Sequence, residues 1–252
     1  MGEMLARVYL TGGLRLDGPS GSFGDAELPG PQGRLAFTAL VVERRAVPRE
    51  HLAALVWNDE PPEAWSSALT SILSKVRHLV TRAGLDGRSV VLSSGGSCGV
   101  RLPAGCWVDL EDAERRTDRA QGALRHGDPA TAAREATVAS AVLRRPFLPG
   151  LAADWADTCR ARLDEMLLRC LVTLAQARSE LGDHDLAAVV AAEAIRRDPL
   201  RETAHRALVR AELGRGDRGA AARAYQDCVR TLGAELGVPP SPQTTALLDG
   251  LG

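Results

Sequence analysis

The feature that most constrains this 252-residue chain is a glycine–aspartate pair that recurs in its C-terminal half. The pair begins at Gly182 and again at Gly216, 34 residues later, and each copy lies between two helix-like segments. An earlier copy begins at Gly127, and its 55-residue distance from Gly182 implies an insertion. Repeats of about this period stack side by side because one unit cannot bury its own apolar face. The C-terminal half is therefore expected to be a stack of helix pairs.

The period of a tetratricopeptide repeat is 34 residues, and small side chains are expected where its two helices meet. Between the copies at Gly127 and Gly182, apolar residues at helical spacing predict one long helix with a core-facing side. We therefore predict an all-α, tetratricopeptide-like domain over residues 109–252. The predicted contact residues are Ala132, Ala136 and Ala139, then Ala187, Ala191 and Ala194, then Ala221, Tyr225 and Cys228, and the long helix is marked by Trp155, Leu163, Met166, Leu167, Cys170, Leu171 and Leu174.

Residues 1–108 have a different pattern, in which short alternating segments are mixed with helical ones. The order is strands, three helices and a hairpin, which is the outline of an α+β winged helix with an additional N-terminal sheet. We therefore place a domain boundary after residue 108. The strands are "ARVYL" and "LRLDG", the helices are "PQGRLAFTALVVERR", "VPREHLAALVW" with Pro48 in its first turn and "PPEAWSSALTSILSKVRHLVTRAG", and the hairpin is "RSVVLSS" and "CGVRL" around "GGS".

The third of these helices has two distinct faces. Its apolar residues follow the i, i+3, i+4, i+7 pattern and predict a face that packs into the core. Its other face is rich in serine and threonine, which are mediocre helix formers, so stability alone does not explain them. Short hydroxyls let a helix approach bases closely, and long cations at the edges reach phosphates or guanine. The predicted outward residues are Ser67, Ser71, Ser74 and His78, flanked by Thr70 and Arg77 on one side and by Lys75 and Arg82 on the other.

Charge and cysteine content limit the possible functions. The chain has 31 basic and 32 acidic residues, and residues 1–108 have 11 and 10, so no strong field attracts DNA to the predicted winged helix. Because affinity for DNA grows with the phosphates neutralised, we expect this domain to need dimerisation or a tandem site. The five cysteines form no Cys-x-x-Cys pair, and His184 in "GDHD" falls in an interhelical turn. We therefore expect packing thiols, no metal, no cofactor and no enzyme activity.

No stretch of the sequence reads as a secretory signal or as a run of about 18 apolar residues. We therefore expect a cytoplasmic protein that has no membrane partner.

Long motifs in both halves resemble the Streptomyces antibiotic regulatory protein family. In the N-terminal half they are "LPGPQGRLAFTAL", "VPREHLAALVW" and "PPEAWSSALTSILSKVRHLV", and the most specific is "DPLRETAHRALVRAELGRGDRGAAARAYQDCVRTLGAELGVPPSPQT" in the C-terminal half. The resemblance implies a winged helix of the response-regulator effector (OmpR/PhoB-like) type joined to a bacterial transcriptional activator domain. The sequence departs from the family at Gln32 and His51, where the family usually has basic residues, and near Cys98 in the wing, where it usually has an aromatic residue.

This resemblance implies that the protein would bind double-stranded promoter DNA at direct repeats as a homodimer and would be associated with the nucleoid. It further implies that the protein would recruit RNA polymerase holoenzyme and activate a specialised-metabolite (antibiotic) gene cluster. The residues implied to face bases or phosphates are Thr70, Ser71, Ser74, Lys75, Arg77 and His78 on the third helix, with Arg88 or Arg101 from the wing.

A second interpretation of the sequence is that the protein is an interaction or ligand-sensing adaptor. Tetratricopeptide stacks present concave surfaces to peptides, and a weakly charged winged helix can be a docking module. A helical pocket for a small molecule cannot be recognised from apolar spacing alone, so ligand control stays open.

Overall fold

The structure of the chain, a computed structural model, describes residues 6–247 and divides into two compact units. The first unit runs to Asp112 and also takes in Arg145–Leu163, and the second comprises Ala113–Arg144 and the chain from Asp164 onward. Two helices, Asp109–Arg125 and Asp154–Glu180, therefore belong partly to each unit. The single domain boundary after residue 108 stays a prediction.

The elements of the first unit follow the predicted order of strands, three helices and a hairpin. In chain order they are β1 (Arg7–Tyr9), β2 (Arg15–Gly18), β3 (Gly21–Phe23), α1 (Gly30–Glu43), β4 (Val47–Pro48), α2 (Arg49–Trp57), α3 (Trp65–Arg82), α4 (Gly87–Val90), β5 (Val91–Ser94), β6 (Ser97–Val100) and β7 (Trp107–Val108).

The leading sheet has the strand order β3-β2-β1-β7. The two predicted strands, β1 and β2, pair antiparallel, with Val8 opposite Leu16. The sequence did not predict β3, which lies in the expected glycine-rich loop, or β7, which pairs parallel with β1 and brings Val108 beside Val8. The sheet is therefore closed by a strand about 100 residues away in sequence.

The second sheet has the order β4-β6-β5 and contains the predicted hairpin. Gly95 and Gly96 form its two-residue turn with φ of 57° and 77°, which suits a hairpin because its tight turns favour positive φ. Two expectations were wrong in detail. Arg88 lies in the short helix α4 rather than in the hairpin's first strand, and Pro48 precedes α2 and ends β4.

Asp109, at the first position of helix α5 (Asp109–Arg125), bonds to residues that follow β1 in the first unit. Its carboxylate is fully buried and accepts hydrogen bonds from the backbone N–H groups of Leu10 and Thr11, at 2.9 and 3.0 Å, and from the Thr11 hydroxyl at 2.8 Å. The N–H of Leu110 donates to the same carboxylate. These contacts hold β1 against the start of α5.

Residues 145–163 join the core of the first unit. The indole N–H of Trp155 donates to the carbonyl of Leu55 at 2.8 Å, and the Trp155 ring meets Phe147 edge to face. The Arg160 guanidinium donates to the carbonyls of Phe147, Leu148 and Leu151. The insertion seen in the repeat spacing therefore packs with the N-terminal unit.

The predicted tetratricopeptide-like fold of the second unit is confirmed. Each predicted interhelical glycine has positive φ, 73° at Gly127, 81° at Gly182 and 77° at Gly216, and the predicted contact residues are buried except Tyr225, which is half-buried. The helices are α5, α6 (Pro129–Leu143), α7 (Asp154–Glu180), α8 (His184–Arg197), α9 (Glu202–Gly214), α10 (Arg218–Leu236) and α11 (Pro242–Thr245).

The predicted long helix is α7, and the predicted packing role of the cysteines is confirmed in part. Cys98, Cys170 and Cys228 are buried, and all five cysteines are free thiols. Burial raises the pKa of the Cys170 and Cys228 thiols to about 11, so both are neutral at physiological pH.

Within residues 6–247, no helix is both long and apolar enough to span a membrane.

Replacing Gly216 with alanine tests the repeat turn. No atom lies within 4 Å of a Cβ added there, so the cost is conformational only, about 1–2 kcal/mol for a left-handed residue. Gly122→Ala, inside α5 and equally free of contacts, should instead stabilise by about 0.5–1 kcal/mol. Urea unfolding of both variants measures these opposite signs.

Replacing Asp109 with alanine tests the closure of the first unit. Two buried backbone N–H groups lose their acceptor, at about 1–3 kcal/mol each, so the free energy of unfolding should fall by about 3–5 kcal/mol. Asp118→Ala, at an exposed position of the same helix, should change it by less than about 0.5 kcal/mol. Equal unfolding midpoints in guanidinium for the two variants would contradict this role of Asp109.

Candidate nucleic-acid interface

Helix α3 presents the face predicted to read DNA. Five apolar residues of its other face are buried, and each contributes about 2 kcal/mol by leaving water. This division into a core face and an outward face is confirmed, whereas the contact of the outward face with DNA stays a prediction. The buried residues are Leu69, Leu73, Val76, Leu79 and Val80, and the exposed ones are Ser67, Thr70, Ser71, Ser74, Lys75, His78 and Arg82.

Four outward side chains have no hydrogen bond or ion pair with other described residues of the protein. Ser71, Ser74, Lys75 and His78 are exposed, and within residues 6–247 their side chains make no hydrogen bond or ion pair. They follow one another at spacings of three, one and three residues, so they share one side of the helix. Lys75 is also the single lysine in the sequence. These four side chains are the part of the face most available to a ligand.

The other predicted residues of α3 have partners within the first unit. The hydroxyls of Ser67 and Thr70 donate to carbonyls one turn earlier, at 2.9 Å each. The half-buried Arg77 donates from Nε to the carbonyl of Val91 in β5, at 2.9 Å, and Arg82 lies over the ring of Phe23. Arg77 therefore joins α3 to the hairpin.

Arg49 is a residue that the sequence-based site prediction missed. From the first position of α2, its guanidinium donates to the Ser66 carbonyl and the Thr70 hydroxyl of α3, at 2.9 and 2.8 Å, and to the Ser93 hydroxyl of β5 at 3.1 Å. The Arg49 N–H also donates to the carbonyl of Gly96 at the hairpin tip. One side chain thus joins three elements of the candidate interface. A cation at a helix N-terminus is unfavourable because it opposes the helix dipole. The position of Arg49 in the sequence was therefore a signal that this side chain does not stabilise α2 itself.

The two predicted wing arginines lie away from the hairpin tip. Arg88 is exposed in α4, before the hairpin, and Arg101 follows β6 at the hairpin's base. The tip is formed by Gly95 and Gly96, so it has no cation. The structure therefore groups neither arginine with the outward face of α3, and their contact with DNA stays a prediction.

A cleft of about 460 Å³ borders the second half of the outward face. Ser74, Lys75, His78 and Arg82 line it from α3, and Glu27 lines it from the segment before α1. The Glu27 carboxylate accepts the N–H of Gly24 at 3.0 Å, which fixes its position. No sequence pattern predicts this carboxylate beside the three basic side chains.

The histidine of "GDHD" has a structural environment. The His184 ring packs on Gly214, where an added Cβ would lie 2.3 Å from the ring, and its Nδ1 is 3.4 Å from the Ser179 hydroxyl. Over the described part of the chain, no group of three or more His, Cys, Asp or Glu is placed to hold a metal ion.

Comparison with known proteins identifies relatives of both units. The family model of the bacterial transcriptional activator domain matches residues 108–251. Regulatory protein AfsR of Streptomyces griseus is 27% identical over 223 residues, and regulatory protein AfsR of Streptomyces coelicolor is 31% identical over 218 residues. The matches cover 86% and 84% of this chain but 22% and 21% of the relatives, so the chain spans about a fifth of their length.

A solved structure shows the same fold. EmbR of Mycobacterium tuberculosis, in complex with a low affinity phosphopeptide, superposes with a TM-score of 0.88 over 99% of this chain and 65% of that chain. At 23% identity, this likeness concerns the fold alone.

A winged helix followed by tetratricopeptide-like helices is the architecture of a class of bacterial transcription regulators. The chain belongs to this class and, within it, to the Streptomyces antibiotic regulatory protein family of transcriptional activators. The family consists of transcriptional regulators and not, in general, of enzymes.

Replacing Arg49 with alanine tests how the candidate interface is held together. The hairpin and the first turn of α3 lose their shared donor, so the free energy of unfolding should fall by about 1–2 kcal/mol. Backbone amides of Ser93 to Cys98 should also exchange with solvent faster. Arg45→Ala removes an exposed surface pair with Glu43 and should change stability by less than about 0.5 kcal/mol. Unchanged hairpin exchange in the Arg49 variant would show that other contacts hold the hairpin.

Proposed function

We propose that the protein binds promoter DNA in a sequence-specific manner through the outward face of α3 and activates transcription. The observation that carries the proposal is the unengaged group of Ser71, Ser74, Lys75 and His78 on a helix whose other face is buried in the core. A helix fits the major groove, where hydroxyls and imidazoles can bond base edges and a cation can reach phosphate or guanine. Serines between the long side chains allow the helix axis to come close to the bases.

The anchoring of α3 supports this reading. Arg49 and Arg77 join the helix to β5, so the helix and the hairpin would meet DNA as one preformed surface. Binding then costs less ordering of side chains than a mobile helix would require. In this arrangement Arg77 and Thr70 act mainly by positioning, and Lys75 and His78 make the direct contacts.

The weak charge of residues 1–108 favours binding in more than one copy. With 11 basic and 10 acidic side chains, one module neutralises few phosphates. Two copies bound at direct repeats about one helical turn apart, roughly 10 to 11 base pairs, would lie on the same side of the DNA. The protein would therefore act as a homodimer on promoter DNA, associated with the nucleoid.

The division of labour would follow the two halves of the chain. Residues 1–108 would bind DNA, and residues 109–252 would support activation by recruiting RNA polymerase holoenzyme. The match of the activator-domain model to residues 108–251 supports this division. Membership of the Streptomyces antibiotic regulatory protein family supports a target in a specialised-metabolite (antibiotic) gene cluster.

Replacing Lys75 with glutamine tests the proposed interface on duplexes selected from genomic DNA. Loss of one phosphate contact should weaken binding and reduce the slope of log affinity against log salt by about 1. Arg119→Gln is the matched control because it removes one exposed positive charge from α5. Fluorescence anisotropy across a salt series measures both variants, and equal salt slopes would argue against contact at Lys75.

Amine labelling gives an independent measurement because Lys75 is the only lysine. Bound DNA should protect its ε-amine from acetylation by an N-hydroxysuccinimide ester, as read by mass spectrometry. The α-amino group at the start of the chain serves as an internal reference. Protein that binds the duplex tightly but leaves Lys75 fully reactive would place the interface elsewhere.

An interaction adaptor is the second candidate, and exposed apolar side chains in the second unit favour it. Val189 in α8 is 63% exposed, and Leu186, one turn earlier on the same helix, is also exposed. Exposed apolar residues on a helical repeat can contact a partner protein. Failure to select any duplex from genomic DNA, in a protein that folds normally, would favour this function.

A further inference from the structure

A groove on the first unit is distinct from the outward face of α3. It has a volume of about 400 Å³ and lies between the C-terminal end of α1, the base of the hairpin and the segment that leads into α5. This volume is within the range of small-molecule sites in proteins, roughly 300–1,000 Å³. Its apolar lining is formed by Val41, Ala46, Leu92, Val100 and Leu102.

The backbone around Arg44 and Gly99 shapes this groove. Arg44 ends α1 in the left-handed conformation, with φ of 56°, and so turns the chain away from the helix. Gly99 in β6 faces Ala46 closely, since an added Cβ would lie 3.2 Å from the Ala46 Cα. The chain just after α1 and the hairpin thus approach each other closely in the lining of the groove.

The charged side chains at the groove are mainly positive. Arg44, Arg45 and Arg101 line it together with one carboxylate, that of Glu111, which accepts an ion pair from Arg44 at 3.2 Å. Arg45 is 76% exposed and pairs with Glu43 at 3.2 Å, a surface pair that a ligand can replace at little cost. Arg101 is exposed, and its guanidinium makes no hydrogen bond or ion pair within the described chain. An apolar interior with guanidinium groups at its edge is complementary to an organic anion.

We propose that this groove binds a small organic anion, a carboxylate attached to an apolar ring or chain. The apolar body packs on Val41, Leu92 and Leu102, and the carboxylate meets the guanidinium groups of Arg45 and Arg101. Guanidinium groups suit this role because their paired N–H donors match the two oxygens of a carboxylate. The proposal gives Arg101 a partner other than DNA.

A ligand in the groove would touch two elements at once. It would contact Val41 in α1 and Leu92 and Val100 in the hairpin, so occupancy would hold the hairpin against α1. The hairpin is also bonded to α3 through Arg77 and Val91. Provided that α3 binds DNA as proposed, the ligand and the DNA would each change the affinity of the protein for the other by the same factor.

The test uses 1-naphthoate as the probe and its neutral counterpart 1-naphthamide, titrated into the full chain by calorimetry without DNA. We expect naphthoate to bind at least about tenfold more tightly than naphthamide, because only the anion engages the guanidinium groups. In methyl NMR spectra, naphthoate should shift the signals of Leu92, Val100 and Leu102. Since no DNA is present, the result does not depend on the proposed promoter binding.

The variant Arg45→Gln with Arg101→Gln should lower naphthoate affinity at least about tenfold and leave naphthamide affinity unchanged. Unchanged naphthamide binding also shows that the variant is folded. Arg119→Gln with Arg125→Gln, two exposed positions of α5, is the matched control and should bind naphthoate normally. Equal affinity for the two probes, or equal naphthoate binding by the two double variants, would overturn the proposal.

An acidic peptide is the other class of occupant that such a groove could receive. A titration with a leucine-containing acidic helical peptide, monitored through the same three methyl signals, separates the two. Binding of the peptide without binding of naphthoate would overturn the small-molecule site in favour of a protein partner.

Discussion

The buried carboxylate of Asp109 is the contact on which the rest of the first unit depends. It accepts hydrogen bonds from Leu10 and Thr11, which follow β1, and it is the first residue of α5. Strand β7, just before Asp109, pairs parallel with β1. The contacts between β1 and residues 107–109 therefore hold together the two ends of the segment that contains the three helices and the hairpin. A buried carboxylate is stable at this position only because several hydrogen-bond donors surround it. The module can then hold α3 in a fixed position although its strands are only two to four residues long.

Within that closure, two arginines convert a packed helix into a candidate binding surface. Arg49 joins α2, α3 and β5, and Arg77 joins α3 and β5, so neither side chain is fully free to meet a ligand. Their engagement leaves Ser71, Ser74, Lys75 and His78 as the unengaged part of the outward face. The same hairpin forms one wall of the groove lined by Arg45 and Arg101. A ligand at the groove and a ligand at α3 would therefore act on one shared element.

The fold was predictable from sequence where a regular pattern reports local geometry. The buried face of α3, the glycine turns of the repeats and the contact residues from Ala132 to Cys228 all follow from spacing, because helices and turns are determined within a few residues. Strand β7 and the return of residues 145–163 to the first unit were not predictable. Both depend on contacts between residues far apart in sequence, which leave no periodic signal. The site was predicted in the same way, since spacing identified the outward face of α3 but not Arg49, Glu27 or the groove.

The sequence by itself determined the class of the fold, the family and the side of α3 that faces outward, because periodicity and long motifs carry that information. Tertiary structure decided which side chains on that side are available. Helical phase places Thr70 and Arg77 at the edge of the outward face, yet they bond to Arg49 and to the carbonyl of Val91. It also decided that Arg88 and Arg101 lie away from the hairpin tip. Helical phase fixes the direction of a side chain, but only the packing of distant elements fixes what that side chain meets.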